Sequence, residues 1–532
     1  MPVNESKPAG RNHVLIISLV IVIAFVLYGA LAPESLNAVS GVLFKVFTGD
    51  FGWLYLLVVF ALVVYTVAIA LSKYGRIKLG HDDEKPEFSN FKWFAQLFGG
   101  GMGIGLVFWS VAEPISDFMA PPSADPLTNA AMHEAMQTVF FHWGISPWVI
   151  FAVGGLALGY FAFRKDRPFL VSSAFEPLIG LKGVNGPLGK AIDILAVFAT
   201  IFGVATSLGL GTVQITGGLQ YVYGIQDTTL LEVIIIAAIT ALFTLATLSG
   251  LGKAMQIVAD VKVYLSIAFM VFIFIFGGAV FICNIFVTDL GGYLQNFIAK
   301  SLWMENGDFV QGWTIFYWAW WIAWAPFCGQ FVARVSRGRT IREYLLAVML
   351  LPAGFCVIWL AIYGGAAFNI DAMTGGAIQA AVSASTTYGL FALLQQLPVY
   401  VVTAPLAIAL IVICFWGSAN SATFVLSMLT DHGNMEPGKA LRVGWGIAQG
   451  AVTIVCIIVG GTEILKILQT LSIAAAFPYM FVIVFSAIAM VKALKEDPGP
   501  YGAFIRQRKE QLALEESARA HAAQASPSGT LE

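Results

Sequence analysis

Charge is what this sequence has least of. Only 11% of its 532 residues are Asp, Glu, Lys or Arg, 58% are hydrophobic, and the mean hydropathy is +0.81. A soluble domain carries about 25% charged residues, so water is excluded as the main solvent. The net charge of −2 holds no basic excess of the kind that binds nucleic acid. Cysteine is scarce too. Cys283, Cys328, Cys356, Cys414 and Cys456 sit in apolar runs with no Cys-x-x-Cys pair. They read as small buried hydrophobes, against a disulfide framework or a transition-metal site. No Walker pattern occurs, which argues against ATP-driven work. The ten-residue alternation of an outer-membrane barrel is missing. His133, His142 and Glu113 lack the spacing of a metal or catalytic cluster, so no enzyme and no cofactor is expected.

Long apolar runs are what the chain has instead, for example 14–32, 54–71, 233–250 and 345–363. Each is long enough to cross about 30 Å of hydrocarbon as a helix. The pattern predicts an all-α integral membrane protein with about twelve spans, near 13–33, 51–73, 94–117, 138–164, 187–222, 229–250, 255–285, 311–334, 342–368, 397–430, 440–462 and 466–494. The first run follows Lys7, Arg11 and His13, lacks a small-residue cleavage site, and reads as a retained helix. No Lys or Arg occurs in 93–163, 191–252 or 343–438, whereas cations cluster in 73–92, 164–190, 334–342 and 492–509. By the positive-inside rule the clusters face the cytoplasm, with both termini inside a bacterial inner membrane. Segments 290–302 and 380–396 are too polar or short to cross and read as amphipathic helices at the outer face. The polar tail after Asp497 reads as a short cytoplasmic helix that frays.

Three places look like breaks at membrane depth. Gly99-Gly100-Gly101-Met102-Gly103-Ile104-Gly105 puts five glycines in seven residues, a cost of about 4–5 kcal/mol to a helix relative to alanine. An unwound segment there would offer amides to a carboxylate and carbonyls to a cation. Trp143-Gly144-Ile145-Ser146-Pro147-Trp148 is the second, and the polar island Trp416-Gly417-Ser418-Ala419-Asn420-Ser421 the third. Separated breaks of this kind mark secondary transporters built from repeats. A fourth feature is aromatic. Residues 313–324 hold five tryptophans, of which Trp320, Trp321 and Trp324 lie inside a span and share a helix face. Trp143 and Trp148 flank a break and can meet that face. A trimethylammonium group has no hydrogen bond to donate, and aromatic faces attract it by about 2 kcal/mol or more per ring when desolvated.

On these residues the chain resembles the betaine/choline/carnitine transporter family. The likeness covers nearly the whole length. It includes Met102-Gly103-Ile104-Gly105-Leu106 with Ala112-Glu113-Pro114, Phe141-His142-Trp143-Gly144 with Pro147-Trp148, and 313–324 followed by Arg334-Val335-Ser336-Arg337-Gly338-Arg339. The resemblance implies two peripheral helices before two inverted five-helix repeats (a LeuT-like arrangement), and a homotrimer. The domains then run 1–93, 94–285, a connecting helix 286–310, 311–494, and a tail 495–532. It places the substrate ammonium among Trp143, Trp148, Trp320, Trp321 and Trp324, with Met102, Gly103 and Gly105 beside it. Phe151 stands where the family often has tyrosine. Proton-coupled choline members tend to carry Asp where Gly105 stands, which favours a zwitterion here.

The same resemblance puts one sodium site near Gly99, Met102 and Ser418, and a second at Thr200 and Phe327. Gly417 and Val204 stand where hydroxyls are expected, and sodium prefers oxygen ligands. Lys262, a cation in the seventh span, is placed to substitute for sodium as in the sodium-independent carnitine exchangers of the family. Sodium dependence is therefore expected to be weak or absent. The expected partners are a small methylated-ammonium substrate and membrane lipid. Two readings stay open beside betaine uptake: exchange or proton-linked carriage of carnitine, choline or dimethylsulfonio compounds, and an osmosensor with the transporter fold but no flux. Glu113 is read as a structural hydrogen-bonding group and His142 as a satisfied helix residue.

Overall fold

The computed structural model describes residues 12–101, 103–249, 252–461 and 464–499, with 508, 511–512 and 514–518 beyond them. These residues are helical, with no strand among them other than an isolated bridge between Lys78 and Thr340. In chain order the helices are α1 (His13–Leu31), α2 (Pro33–Phe44), α3 (Gly52–Leu71), α4 (Asn90–Gly101), α5 (Ile104–Met119), α6 (Asn129–Trp143), α7 (Ile145–Gly159), α8 (Glu176–Val184), α9 (Pro187–Tyr223) and α10 (Thr229–Ser249). Then follow α11 (Gly252–Phe276), α12 (Ala279–Ser301), α13 (Gly307–Phe309), α14 (Phe316–Val335), α15 (Ile341–Met373), α16 (Ala377–Ala384), α17 (Gly389–Gln395), α18 (Tyr400–Leu429), α19 (Lys439–Gly460) and α20 (Ile464–Glu496).

Hydrocarbon offers no partner to a bare peptide group, so an apolar run must satisfy its backbone within itself. Ten helices among the described residues are long and apolar enough to cross a membrane: α1, α3, α6–α7 together, α9, α10, α11, α15, α18, α19 and α20. The chain is a multi-pass membrane protein. The two other expected spans fall on α4–α5, interrupted at Gly103, and on α14, which carries four tryptophans with Pro326 and Gln330.

The inner layer is built on α7 and α14, which run against each other, and on α9 packed against α18 and α20. Glycines permit the first contact: a Cβ at Gly155 would lie 2.3 Å from the Tyr344 hydroxyl and 2.6 Å from the Gly329 carbonyl. The helices α1, α10 and α11 are mostly uncovered, and large apolar side chains such as Val20, Leu245 and Val271 point outward. That is the lipid side.

The basic segments converge on one face. Leu79 N donates to Arg339 O, Arg334 pairs with Glu87 at 2.6 Å, and Arg164 bonds both Asp82 (2.8 Å) and Asp497 (2.7 Å). Lys492 Nζ donates to Pro177 O at 2.7 Å. Segments 73–92, 164–190, 334–342 and 492–499 thus share one side, as the charge pattern requires. Beyond Asp497 the expected tail lies almost wholly outside the described residues.

Four expectations are corrected. The glycine segment is helical through Gly101 and again from Ile104, and Gly103 is extended (φ −94°, ψ 167°). Each glycine weakens a helix by about 1 kcal/mol, less than one unsatisfied backbone group costs in lipid, so the chain stays coiled wherever it can. The polar island 416–421 is no break, because α18 runs through it. The span expected at 255–285 ends at Phe276, where Gly278 turns with φ +99°, and the amphipathic helix starts early, at Ala279. Segment 380–396 forms two short helices, α16 and α17.

Candidate functional site

The ring cluster follows from local geometry on two helices. On α14, residues four apart share a face, which puts Trp320 and Trp324 together with Trp321 beside them. Trp320 and Trp321 stack at 4.9 Å and 13°. From across the gap, Trp143 meets Trp321 edge-on at 4.9 Å and Trp320 at 6.2 Å. Phe151 adds an edge to Trp321 at 6.1 Å and to Trp148 at 5.4 Å.

The break at Gly144 makes this meeting possible. It ends α6 at Trp143 with φ −83°, ψ −126°, and α7 starts at Ile145. The start of a helix leaves amides without acceptors; here the Tyr293 hydroxyl, from α12, accepts from Ile145 N at 3.0 Å. The indole N–H groups are fastened to backbone: Trp321 Nε1 donates to His142 O at 3.0 Å and Trp324 Nε1 to Gly203 O at 2.8 Å. Trp320 Nε1 is buried and has no acceptor among the described residues.

The rings enclose a cavity of about 40 Å³. Gly103, Gly105, Trp143, Trp148, Phe151, Trp320, Trp321 and Trp324 all line it, so every expected substrate residue is brought together except Met102, which lies outside the described residues. No charged side chain lines it. Gly103 has open space where a Cβ would stand, but a Cβ on Gly105 would lie 2.3 Å from Trp320 Cη2. Trp320 thus fills the space beside Gly105, whereas the space beside Gly103 is open.

Behind the rings lies a buried polar cluster. Glu113 Oε1 accepts from His142 Nδ1 at 2.7 Å, and Oε2 accepts from Trp143 Nε1 at 2.8 Å and from the Tyr317 hydroxyl at 2.5 Å. His142 Nε2 pairs with Thr314 Oγ1 at 3.0 Å. Glu113, His142 and Tyr317 are fully buried. Both residues are hydrogen-bonded within the structure, as expected.

A second, larger cavity of about 930 Å³ begins where the first ends, sharing Gly103, Trp324 and Cys328 with it. It reaches Phe169, Arg334, Lys439 and Arg442 on the basic face, and its charged lining residues are all cationic. The site therefore communicates with the basic face, while Trp109, Glu113, His142 and Tyr317 cover its other side. The polar island on α18 forms part of this wall through Gly417, Ser418, Asn420 and Ser421. Its polarity marks contact with water rather than a break in the helix.

Of the ion-site candidates, Ser418, Phe327 and Lys262 line the large cavity. Thr200 is buried in α9 with its hydroxyl on Ala196 O at 2.7 Å, and lines neither cavity. Gly99 lies in the helical part of α4. Five lining residues were not among the expected site residues: Leu106, Pro147, Ser207, Cys328 and Cys356. Cys328 was within reach, since it lies one turn after Trp324 on the same face. Of the five cysteines, four are buried as expected and Cys283 is exposed.

Comparison with known proteins agrees with this architecture. The family described as BCCT, betaine/carnitine/choline family transporter, matches residues 13–499. A probable glycine betaine transporter of Desulfitobacterium hafniense is 63% identical over 487 residues, covering 92% of this chain and 98% of that protein. A glycine betaine transporter of Bacillus subtilis is 43% identical, covering 91% and 95%. An ectoine/hydroxyectoine transporter of Virgibacillus pantothenticus is 39% identical, covering 92% and 98%.

Proposed function

The chain belongs to the betaine/carnitine/choline transporter family, and from that premise we propose that it carries glycine betaine, or a close methylated-ammonium zwitterion, by alternating access. One observation carries the reading. Six of the thirteen residues lining the small cavity are Trp or Phe, and none is charged. A desolvated quaternary ammonium gains about 2 kcal/mol or more from an aromatic face, and it needs no hydrogen-bond acceptor. No charged side chain among the described residues touches a cation held in this cavity, whereas a zwitterion brings a carboxylate of its own.

The carboxylate of such a substrate fits the opposite end. Gly103 is extended and immediately precedes α5, so the partial positive charge of that helix N-terminus faces it. The orphan Trp320 N–H is a second donor on the same wall. The large cavity is then the exit path toward the basic face, taken as cytoplasmic, and the covered side is the closed outer gate. In this reading the protein lies in the inner membrane with both termini inside. It has twelve spans, counting α4–α5 and α14, arranged as two peripheral helices and two inverted repeats, and assembles as a homotrimer.

Sodium coupling is weak or absent. Thr200 turns its hydroxyl to Ala196 O, Val204 and Gly417 offer no hydroxyl, and Lys262 stands on the vestibule wall with Ser418. Uptake of labelled glycine betaine into liposomes, with sodium replaced by potassium, tests this; full dependence on a sodium gradient refutes it. In the same liposomes Trp321→Leu should abolish betaine binding, and retained affinity removes the cation–π account. Ectoine in the competition panel separates a methylated-cation box from one that takes any compact zwitterion.

A further inference from the structure

We infer that Glu113 is the positioning residue of the aromatic box, and that its charge enriches the ring faces that meet the substrate cation. The inference rests on the betaine reading above. Glu113 does not line the cavity, yet one carboxylate reaches both of its walls. Trp143 is held directly, N–H to Oε2 at 2.8 Å. Trp321 is held through its neighbours. His142 bonds Oε1 at 2.7 Å and offers its own carbonyl to Trp321 Nε1 at 3.0 Å. Tyr317 bonds Oε2 and stacks on both His142 (4.7 Å, 26°) and Trp321 (5.9 Å, 25°).

His142 pairs with Glu113 through Nδ1 and with Thr314 Oγ1 through Nε2 at 3.0 Å; we take the ring as neutral, giving Nδ1–H to the carboxylate and accepting the Thr314 hydroxyl at Nε2. Three donors satisfy the carboxylate, so a wholly buried anion is tolerated here. None of those donors is a cationic side chain; Lys300 on α12 gives its Nζ to Thr138 Oγ1 at 2.9 Å, and the buried carboxyl of Asp117, one turn further along α5, has no hydrogen-bond partner among the described residues. The cluster therefore keeps one net negative charge behind the rings. An indole N–H bonded to an anion pushes electron density into the ring and deepens the attraction of its face for a cation. The substrate ammonium, arriving on the far side of Trp143, is the missing counter-charge. A simple clasp between α5, α6 and α14 would explain the same bonds without any preference for charge.

Charge separates the two accounts. The probes are glycine betaine and 3,3-dimethylbutanoate, which has the same shape with carbon in place of the quaternary nitrogen. Both are titrated on the full-length protein by tryptophan fluorescence, for wild type, Glu113→Gln and Glu113→Asp. A unit charge roughly 8 Å from the ammonium, at an effective dielectric of about 20, alters affinity by about thirtyfold. Glu113→Gln should weaken betaine by about that factor, leave the neutral-headed isostere within about twofold, and so erase most of the preference. Glu113→Asp should restore the preference while weakening both ligands. Trp143→Phe keeps a ring and loses the relaying N–H, so it carries the same prediction at several-fold size should Glu113→Gln not fold. Equal losses for both ligands, or an unchanged preference, overturn the inference alone. A wild-type protein that does not prefer betaine to its isostere overturns the cation reading and this inference with it.

Discussion

Adding one methyl group at Gly105 should disarm the site without touching a hydrogen bond. The built Cβ would lie 2.3 Å from Trp320 Cη2, 3.1 Å from Cζ2 and 3.3 Å from Cζ3. Carbon atoms rest at about 3.5–4.0 Å, so the ring must retreat by about 1.2–1.7 Å. It has little freedom to do so. Phe316 stacks on one side of Trp320 at 5.4 Å and 15°, and Trp321 on the other at 4.9 Å and 13°. Displacing Trp320 therefore displaces Trp321, the ring on which Trp143 and Phe151 also bear. Overpacking of this kind costs about 1–3 kcal/mol. A protein that relieves the strain by moving the rings must restore them to bind the cation, so the cost falls on binding. Gly105→Ala should raise the betaine Kd by about 5- to 150-fold, with expression and helix content unchanged. Binding by tryptophan fluorescence and counterflow in liposomes both read this. An affinity within twofold of wild type would refute the claim that Trp320 is held in place by its neighbours.

Other consequences follow from single contacts. Tyr293→Phe deletes the acceptor of the Ile145 amide at the start of α7; a buried orphan donor costs about 1–3 kcal/mol, so thermal stability should fall and amide exchange at 145 should rise. Unchanged exchange would mean another acceptor replaces it. On the basic face, burial opposes ionisation of Asp497, but hydrogen bonds from Arg164, Tyr160 and Gly499 N outweigh it and hold the carboxyl well below the usual carboxylate range. A depressed value means that its stabilising contribution is complete above the ordinary carboxylate range and is lost only as pH falls through the folded value. Asp497→Asn should therefore destabilise the protein by about 1.5–3 kcal/mol per charged bond weakened, equally at pH 8 and pH 5. A difference that shrinks between those values would contradict the assignment.

Composition and charge pattern were enough for the membrane class. A chain this poor in charge has no soluble solution, and its apolar runs can satisfy their peptide groups only as helices. The grouping of basic segments on one face was legible for the same reason, and Arg164, Arg334 and Lys492 bear it out. So was the gathering of Trp320, Trp321 and Trp324, because helical spacing puts them on one face whatever surrounds them. The places where sequence reading went astray are those where two remedies compete. Glycine density at 99–105 suggested unwinding, yet Gly99–Gly101 stay in α4, and Gly103 is the described residue of that segment that leaves the helix. The polar residues 417–421 suggested a break, yet α18 runs through them, and Ser418, Asn420 and Ser421 line the large cavity.

Sequence alone settled what kind of molecule this is and which rings could meet. Distance along the chain cannot say what fills the space beside a glycine, and only packing showed that Trp320 lies against Gly105 while Gly103 stays open. Nor does spacing reveal that Glu113, His142 and Tyr317, from three helices, close on one carboxylate. Periodicity is a property of one helix at a time. A site made between helices is decided by how they cross, and that depends on every side chain in the contact.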